Sequence, residues 1–457
     1  MPNSRPLLFI WLILAFSVLA KEKEAGGGKG GIDKKMSEAI DEAIVKGRSW
    51  LKDDAVAELS MPEQPTVLHE GKAFTFPLGR IALLGLALLE AGVPASDPVL
   101  QKIRDRVRDK PPATTYDAGM SLLYAEAYLR ASNGGRRMVK PEPSDQAWMQ
   151  KTADYLASGC YGGAWTYACP GGAGFPIGED PKQKYVIHEM GGPSVGDGED
   201  PNESLARLVA ESAARNPGGD YDHSNSQYAV LGLKAASLCG VKVKNARLMW
   251  RTVVYHFLKS QEPTGPEVDL ALTREDMGRI RSEDYALGTE PGKPRARGWN
   301  YGAIDQGAAY GAMTAAGMTA LLVAQSEVPD LSPEEHLRVK LAVRDALAWI
   351  QTNWSVDKNP LVGHERGRQA PNAHYYHLYG LERIGMLIQV RALAGHAWYK
   401  EGAEVLLKAQ KPDGHWPSAE QTATLQGYPE DDRIKTALAL LFLARSMKTE
   451  FVVNARK

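Results

Sequence analysis

Neither sign of charge is in excess along this 457-residue chain, where 54 Lys and Arg balance 55 Asp and Glu. Nucleic-acid binders carry a basic excess or stripe, so nucleic acid is set aside as a partner. No polybasic run marks a membrane-surface patch. Cysteine is scarce, with three residues, and Lys21 stands directly after Ala20, where the cysteine of a lipoprotein attachment point would lie. Period-two alternation, the mark of half-buried strands, is equally scarce. After residue 20 no apolar run reaches the ~20 residues that a membrane helix needs. No motif calls for a cofactor.

The chain opens with a targeting signal. Arg5 supplies a positive flank, residues 7–20 are apolar apart from Ser17, and Val18-Leu19-Ala20 ends the run with residue types a signal peptidase accepts. Residues 1–20 therefore read as the signal peptide of an exported protein, periplasmic or secreted, with no membrane span once it is removed. An uncleaved N-terminal anchor is the alternative. Residues 21–31, KEKEAGGGKGG, form a charged, Gly-rich linker with nothing to bury.

From Ile32 onward helical periodicity dominates, and the helices are of two kinds. One kind is rich in Ala, Gly and Leu with few charges, at 78–92, 116–131, 224–240, 306–325, 374–393 and 434–445. The other is amphipathic, at 32–52, 98–108, 144–157, 245–259, 333–352 and 399–408. The two alternate strictly. A helix that is apolar nearly all round is buried on every side, and an amphipathic one faces water. Six of each predict an all-α fold, an (α/α)6 toroid of two concentric helical rings over residues 32–448, with a tail at 449–457. An open helical solenoid is the rival. The run Ala82-Leu83-Leu84-Gly85-Leu86 ending in Gly92-Val93 reappears as Ala229-Val230-Leu231-Gly232-Leu233 ending in Gly240-Val241.

The turns from outer to inner helix carry a second repeat. Gln410-Lys411-Pro412-Asp413-Gly414-His415-Trp416 follows one outer run, and Cys160-Tyr161-Gly162-Gly163-Ala164-Trp165 takes the same place after another. Gln261 with Arg297-Gly298-Trp299 closes a third such connection, and Gln351 with Trp354 is a degenerate copy. Gly permits the tight reversal, the Gln amide satisfies free backbone groups, and the Trp fastens the turn to its neighbour. Trp165, Gln261, Trp299, Gln410, Gly414 and Trp416 are thus expected to be structural. The Q-x-x-D-G-x-W run of 410–416 resembles the QW repeat of squalene and oxidosqualene cyclases, and the Gly-Gly-aromatic turns resemble those of protein prenyltransferase β subunits. The runs at 374–387, 398–416 and 437–446 look like exported bacterial cyclase-repeat proteins of unestablished reaction. The resemblance covers nearly all of the chain after residue 32.

Alternating pairs put the inner-helix N-termini on one rim, together with the long connections 159–221 and 261–304. Positive helix-dipole ends collect there and favour acidic groups or anionic ligands. Asp431, Asp432 and Asp222 are the candidate catalytic carboxylates, weighed against plain helix capping. Tyr116, Asp117, Asn225, Gln227, Tyr228, Tyr310, Met313, His374, Tyr375, Tyr376 and Tyr379 are candidates to line a central cavity, weighed against core packing. Cyclases of the resembling families protonate substrate with an Asp of a D-x-D-D motif; here Pro429-Glu430-Asp431-Asp432 lacks the first Asp, and Arg433 favours an ionised carboxylate. His374 and His377 lie three apart on one helix, but no metal site is assigned. Cys160 and Cys169, on one short loop in an oxidising compartment, are expected to form a disulfide, and Cys239 to be a core residue.

The leading expectation is an exported cyclase-repeat protein whose central cavity takes an apolar or amphipathic, isoprenoid-like ligand. The first alternative is a carbohydrate-active enzyme on the same ring, with two of Asp220, Asp222, Asp305, Glu382 and Asp431 as its carboxylates and Trp165, Trp299 and Tyr301 as sugar platforms. The second is a non-enzymatic interaction scaffold. Glu382-Arg383, inside an apolar helix, reads as a buried ion pair.

Overall fold

The computed structural model describes residues 32–60, 68–69, 72–73, 76–135, 140–167, 169, 221–243, 246–271, 292–302, 308–360, 373–390, 392–417 and 431–445. The expected signal peptide, linker and C-terminal tail lie outside them, as do Asp220 and Asp305. The fold is all-α. Twelve helices lie among the described residues, with one short antiparallel pair, Leu68–His69 against Lys72–Ala73. No helix among them is long and apolar enough to cross a membrane.

The two expected kinds of helix are both present. The buried kind comprises α2 (Pro77–Glu90), α4 (Thr115–Ser132), α6 (His223–Leu238), α8 (Gly311–Ser326), α10 (His374–Leu387) and α12 (Asp432–Leu443). Every residue of α8 is buried. The half-exposed kind comprises α1 (Lys34–Ser60), α3 (Pro98–Asp109), α5 (Pro143–Ser158), α7 (Ala246–Ser260), α9 (Pro333–Thr352) and α11 (Trp398–Ala409). On α3 only Val99, Leu100, Ile103 and Val107 are buried, a single stripe. The buried helices pack in succession, α2 on α4, α4 on α6, α6 on α8, α8 on α10 and α10 on α12, and α12 packs back on α2. Each half-exposed helix lies against one or two of the buried ones, and α1 touches α11 and α12 as well as α2 and α3.

Small residues set the spacing of the inner helices. At the α4–α6 crossing a Cβ on Gly232 would lie 2.7 Å from the Cα of Gly119, so the two backbones are in direct contact. The repeated Gly-Val signature is a helix stop. Gly92 and Gly240 take φ of 87° and 79°, and the N–H groups of Val93 and Val241 reach back to the carbonyls of Leu88 and Ala236, a Schellman closure. Gln389 does the same without glycine, at φ 55°, with Val390 bonded to Gly385. That stop ends α10 at Leu387, six residues before the apolar pattern fades at Leu393.

The turn motifs carry out their expected tasks with one shared geometry. Trp165, Trp299 and Trp416 are fully buried. Their indole N–H groups donate to Leu156, Phe257 and Leu406, carbonyls in the last turn of the preceding outer helix, at 2.6, 3.0 and 2.8 Å. Their backbone N–H groups donate to Ser226, Thr314 and Thr436 at the start of the following inner helix. Gln261 and Gln410 reach the next outer helix, donating to Ala342 and Ala43, both at 2.9 Å. Gly414, at φ 105°, lies against the Lys46 carbonyl of α1. Each turn thus joins the helices before and after it to the neighbouring pair. The degenerate copy departs from this pattern: Gln351 bonds the Asp269 and Ala271 backbone, and the Trp354 indole donates to Glu401.

Candidate functional site

Side chains from α4, α6 and α10 converge beside the small-residue face of α8. Gln227 on α6 and Arg383 on α10 are fully buried, and the guanidinium Nη2 donates to Gln227 Oε1 at 2.7 Å. The Gln227 amide donates to the Tyr376 hydroxyl. Tyr376 is 2.7 Å from Ser224 Oγ, which in turn bonds the Tyr116 hydroxyl. An unbroken chain of hydrogen bonds therefore runs from Arg383 to Tyr116.

Aromatic rings follow the same route. Phe76 lies 4.9 Å from Tyr116, Tyr116 lies 5.1 Å from Tyr228, and Tyr228 lies 6.2 Å from Tyr376. Phe76, Tyr116 and Tyr376 are half-buried, whereas Tyr228 and Tyr379 are buried. The rings of Tyr228, Tyr376 and Tyr379 meet at Arg383. Its guanidinium carbon sits 4.5 Å from the Tyr379 ring centroid, 5.5 Å from Tyr228 and 5.9 Å from Tyr376. Three ring faces stabilise the cation by about 0.5–2 kcal/mol each. They leave Nε and Nη1 without hydrogen-bond partners, and among the described residues no carboxylate pairs with it. An unpaired buried charge costs several kcal/mol, so the cluster is short of negative charge. The expected Glu382–Arg383 pair does not form. Consecutive helix positions diverge by about 100°, and Glu382 raises the pKa of Tyr399 on the α11 side, after the larger effect of burial there.

Several candidates prove to be caps. Asp222 is the N-cap of α6, accepting from Asn225 N at 2.6 Å and from the Asn225 amide at 2.7 Å; burial pushes its pKa up to about 7. Asp117 lies in the first turn of α4 and accepts the Gly79 N–H of α2 at 2.7 Å, so one carboxylate serves the neighbouring helix's free N-terminus. Burial pushes it up to about 6. Asp431 is the N-cap of α12, 2.9 Å from Arg433 N, and pairs with Arg80 of α2. Arg433 pairs with Asp54 and Glu58 of α1. Asp432 is half-exposed and lies 3.8 Å from His415. Asp431 therefore belongs to the ionic seam joining α1, α2 and α12, whereas Asp432 lies at the half-exposed edge beside the 410–416 turn.

The remaining candidates are spread around that cluster. Tyr310 caps α8 through its backbone alone, and Met313 is core. His374 Nε2 donates to Val356 O at 2.6 Å and His377 Nε2 to Ser355 O at 3.0 Å, so neither presents that nitrogen to a shared metal ion. Tyr375 donates to Pro417 O. Trp165 and Trp299 are too deeply buried to stack on a sugar, and Tyr301 is tied to the Tyr167 hydroxyl at 2.6 Å.

The expected disulfide is absent: Cys160, Cys169 and Cys239 are free thiols. The Tyr161–Ala164 turn fixes Cys160 beside the Gly163 backbone, while the Cys169 sulfur docks 3.7 Å from Thr115 Oγ1. Each sulfur has its own partner. Cys239 is buried, as expected.

Sequence reading missed Arg383 as the focus of the cluster, because its buried position was ascribed to the adjacent glutamate. The signal that marks it is the Tyr-rich face of its own helix, Tyr376 and Tyr379, seven and four residues before it. Compared with family models, curated proteins and solved structures, the chain matches none.

Proposed function

We propose that this chain is an exported (α/α)6 toroid of the cyclase-repeat kind, whose centre binds the anionic head of an amphipathic, isoprenoid-like small molecule without cyclising it. The ring reading rests on the return of helix contacts from α12 to α2 and on Gln410 and Gly414 of the last turn engaging α1. In an open solenoid that turn would have no next outer helix to engage.

The observation that carries the ligand is Arg383: a buried guanidinium with two unpaired donor atoms at the inner end of an aromatic series. A carboxylate or phosphate supplies the missing charge and acceptors, and the tyrosines provide apolar faces for the chain behind it. The same cation opposes cyclase chemistry. A carbocation about 6 Å from a guanidinium is destabilised by about 3 kcal/mol at an effective dielectric near 20. With Asp431 paired to Arg80 and Asp432 beside His415, neither acid of the 429–432 run is placed to start such a reaction.

The test compares a polyprenyl monophosphate with its uncharged alcohol on the wild type and on Arg383→Met. Replacing a lone buried cation by an isosteric apolar chain is compatible with folding. The monophosphate should bind the wild type at least about tenfold more tightly than the alcohol, and Arg383→Met should abolish that preference. Equal binding of the two, or a preference that survives in the variant, defeats the proposal. The mutual hydrogen bonding of Tyr116, Ser224, Tyr376, Gln227 and Arg383 favours a second reading, a scaffold with a filled centre, which predicts that neither molecule binds. Export is tested by intact mass, which should place the mature N-terminus at Lys21; a retained Met1 overturns it.

A further inference from the structure

We propose that His223 and His256 form a binding site for a zinc-class divalent ion, independent of the Arg383 cluster. His223 opens α6 and is fully buried, and His256 lies on the last turns of α7. Their Nε2 atoms face each other at 3.3 Å. The protonation of each ring follows from its other contact. His223 Nδ1 is 2.8 Å from the Asn300 carbonyl, which can only accept, so Nδ1 carries the hydrogen. His256 donates to the Gly162 carbonyl, and with its Nε2 turned to His223 the donor is Nδ1. Both neutral rings therefore point an Nε2 lone pair at the other. Two lone pairs at 3.3 Å cannot make an N–H···N bond; the Ser260 hydroxyl can donate to His223 Nε2 at 3.1 Å, which leaves His256 Nε2 facing it without a donor, and a cation between the rings would engage both.

The spacing fits such an ion. Two metal–imidazole bonds of about 2.0–2.1 Å at the tetrahedral angle put their nitrogens about 3.3–3.4 Å apart. Ser260 Oγ lies 3.1 Å from His223 Nε2, near a further edge of the same tetrahedron. Carbonyl acceptors on the far nitrogens are the usual outer partners of metal-bound histidine, fixing tautomer and ring plane. Here they come from two successive turn motifs, Gly162 before α6 and Asn300 before α8. The Tyr221 ring meets His256 edge-on at 4.7 Å and holds it from another side. Among the described residues no cluster of three His, Cys, Asp or Glu side chains exists. The site among the described residues is therefore two imidazoles with Ser260 as the third donor side chain. Neutral nitrogen donors suit Zn2+, Co2+ or Cu2+ rather than Mg2+ or Ca2+.

The test titrates metal-stripped full-length protein with Co2+, follows its d–d absorption, and displaces it with Zn2+. One ion per chain is expected, with intense low-coordinate bands. His256→Gln should weaken binding at least about tenfold while Arg383→Met leaves it unchanged, which separates this site from the ligand proposal. Absence of stoichiometric binding by Co2+ and Zn2+, or unchanged affinity in His256→Gln, overturns the site. If His256→Gln fails to fold, X-ray absorption of the wild type with Zn2+ decides: two imidazole nitrogens at about 2.0–2.1 Å are expected, and fewer than two overturns the proposal.

Discussion

Asp117→Asn should remove one component of this molecule's pH response, by a calculable amount. Asp117 is fully buried on α4, and its carboxylate accepts the Gly79 N–H of α2. Burial raises its pKa from 3.8 to about 6, against the hydrogen bonds that lower it. The sign follows from proton binding. Between these two values the folded state holds a proton that the unfolded chain has released, so the contribution of Asp117 to stability grows as pH falls from 7.5 towards 4. Integrated from pH 7.5 to 4.5, the gain is about 2 kcal/mol, at 1.36 kcal/mol per unit. Asparagine keeps the carbonyl acceptor for Gly79 but never ionises, so it removes the dependence and leaves the cap.

The wild-type profile alone cannot reveal this, because other buried groups titrate across the same range: Asp222 in the same sense, His223 and His377 in the opposite one. Burial lowers the pKa of His377 from 6.5 to about 4. The unfolded state then binds the extra proton, and stability is lost as pH falls from 6.5 to 4. By pH 4.5 the loss is about 2.5 kcal/mol, close to the Asp117 gain. The difference between variant and wild type isolates one group. Urea unfolding at half-unit steps from pH 4.5 to 7.5 should find Asp117→Asn gaining about 2 kcal/mol on the wild type as pH rises, most of it between pH 4.5 and 6. A difference that stays flat across this range refutes the claim that Asp117 is protonated below its raised pKa in the folded state.

Three further outcomes are expected. Gly232→Ala should cost about 1–3 kcal/mol in denaturant unfolding, because its Cβ would meet the Gly119 backbone at 2.7 Å; a loss under about 0.5 kcal/mol would mean that α4 and α6 can separate. Asp431→Ala should cost about 0.5–2 kcal/mol as a lost N-cap, while Asp432→Ala, at a half-exposed position, should stay within about 0.5 kcal/mol; equal costs would contradict the assignment of the cap to Asp431. Non-reducing peptide mapping of native protein should find Cys160 and Cys169 unlinked and slow to alkylate, since burial pushes both thiols up to about 12; a linked Cys160–Cys169 peptide would overturn this.

Helix type and order were legible because they depend on side-chain periodicity, which sequence carries directly. The turn motif was legible for a related reason: glycine, glutamine and tryptophan each have a narrow set of tasks in a reversal, and the three buried Trp residues perform the same one. Helix ends were less so. Gln389 adopts the left-handed stop usually given to glycine, and the apolar residues after it therefore extend the pattern without extending α10. The disulfide expectation failed on orientation. Nine positions of separation permit a bridge, but the direction of each thiol is set by the Tyr161–Ala164 turn and by Thr115, which spacing does not encode.

The candidate site was legible in its members but not in its logic. Tyr116, Gln227, Tyr228, Tyr376 and Tyr379 are brought together, whereas Asp222 and Asp431, two of the three acids singled out for chemistry, serve as helix caps. That division has a physical cause. A carboxylate at a helix start is retained by the free N–H groups it satisfies, whatever reaction the protein performs, so its presence at the rim says little about function. A buried guanidinium has no such backbone task, since it can only donate and the α10 carbonyls are already bonded within the helix. Its burial must be offset by something else, and within the described residues the offset is incomplete: the Gln227 amide, the Tyr228 side chain and three ring faces, with Nε and Nη1 left over. Residues that the fold does not need are where function is best sought, and Arg383 is the residue here whose surroundings ask for a partner of opposite charge.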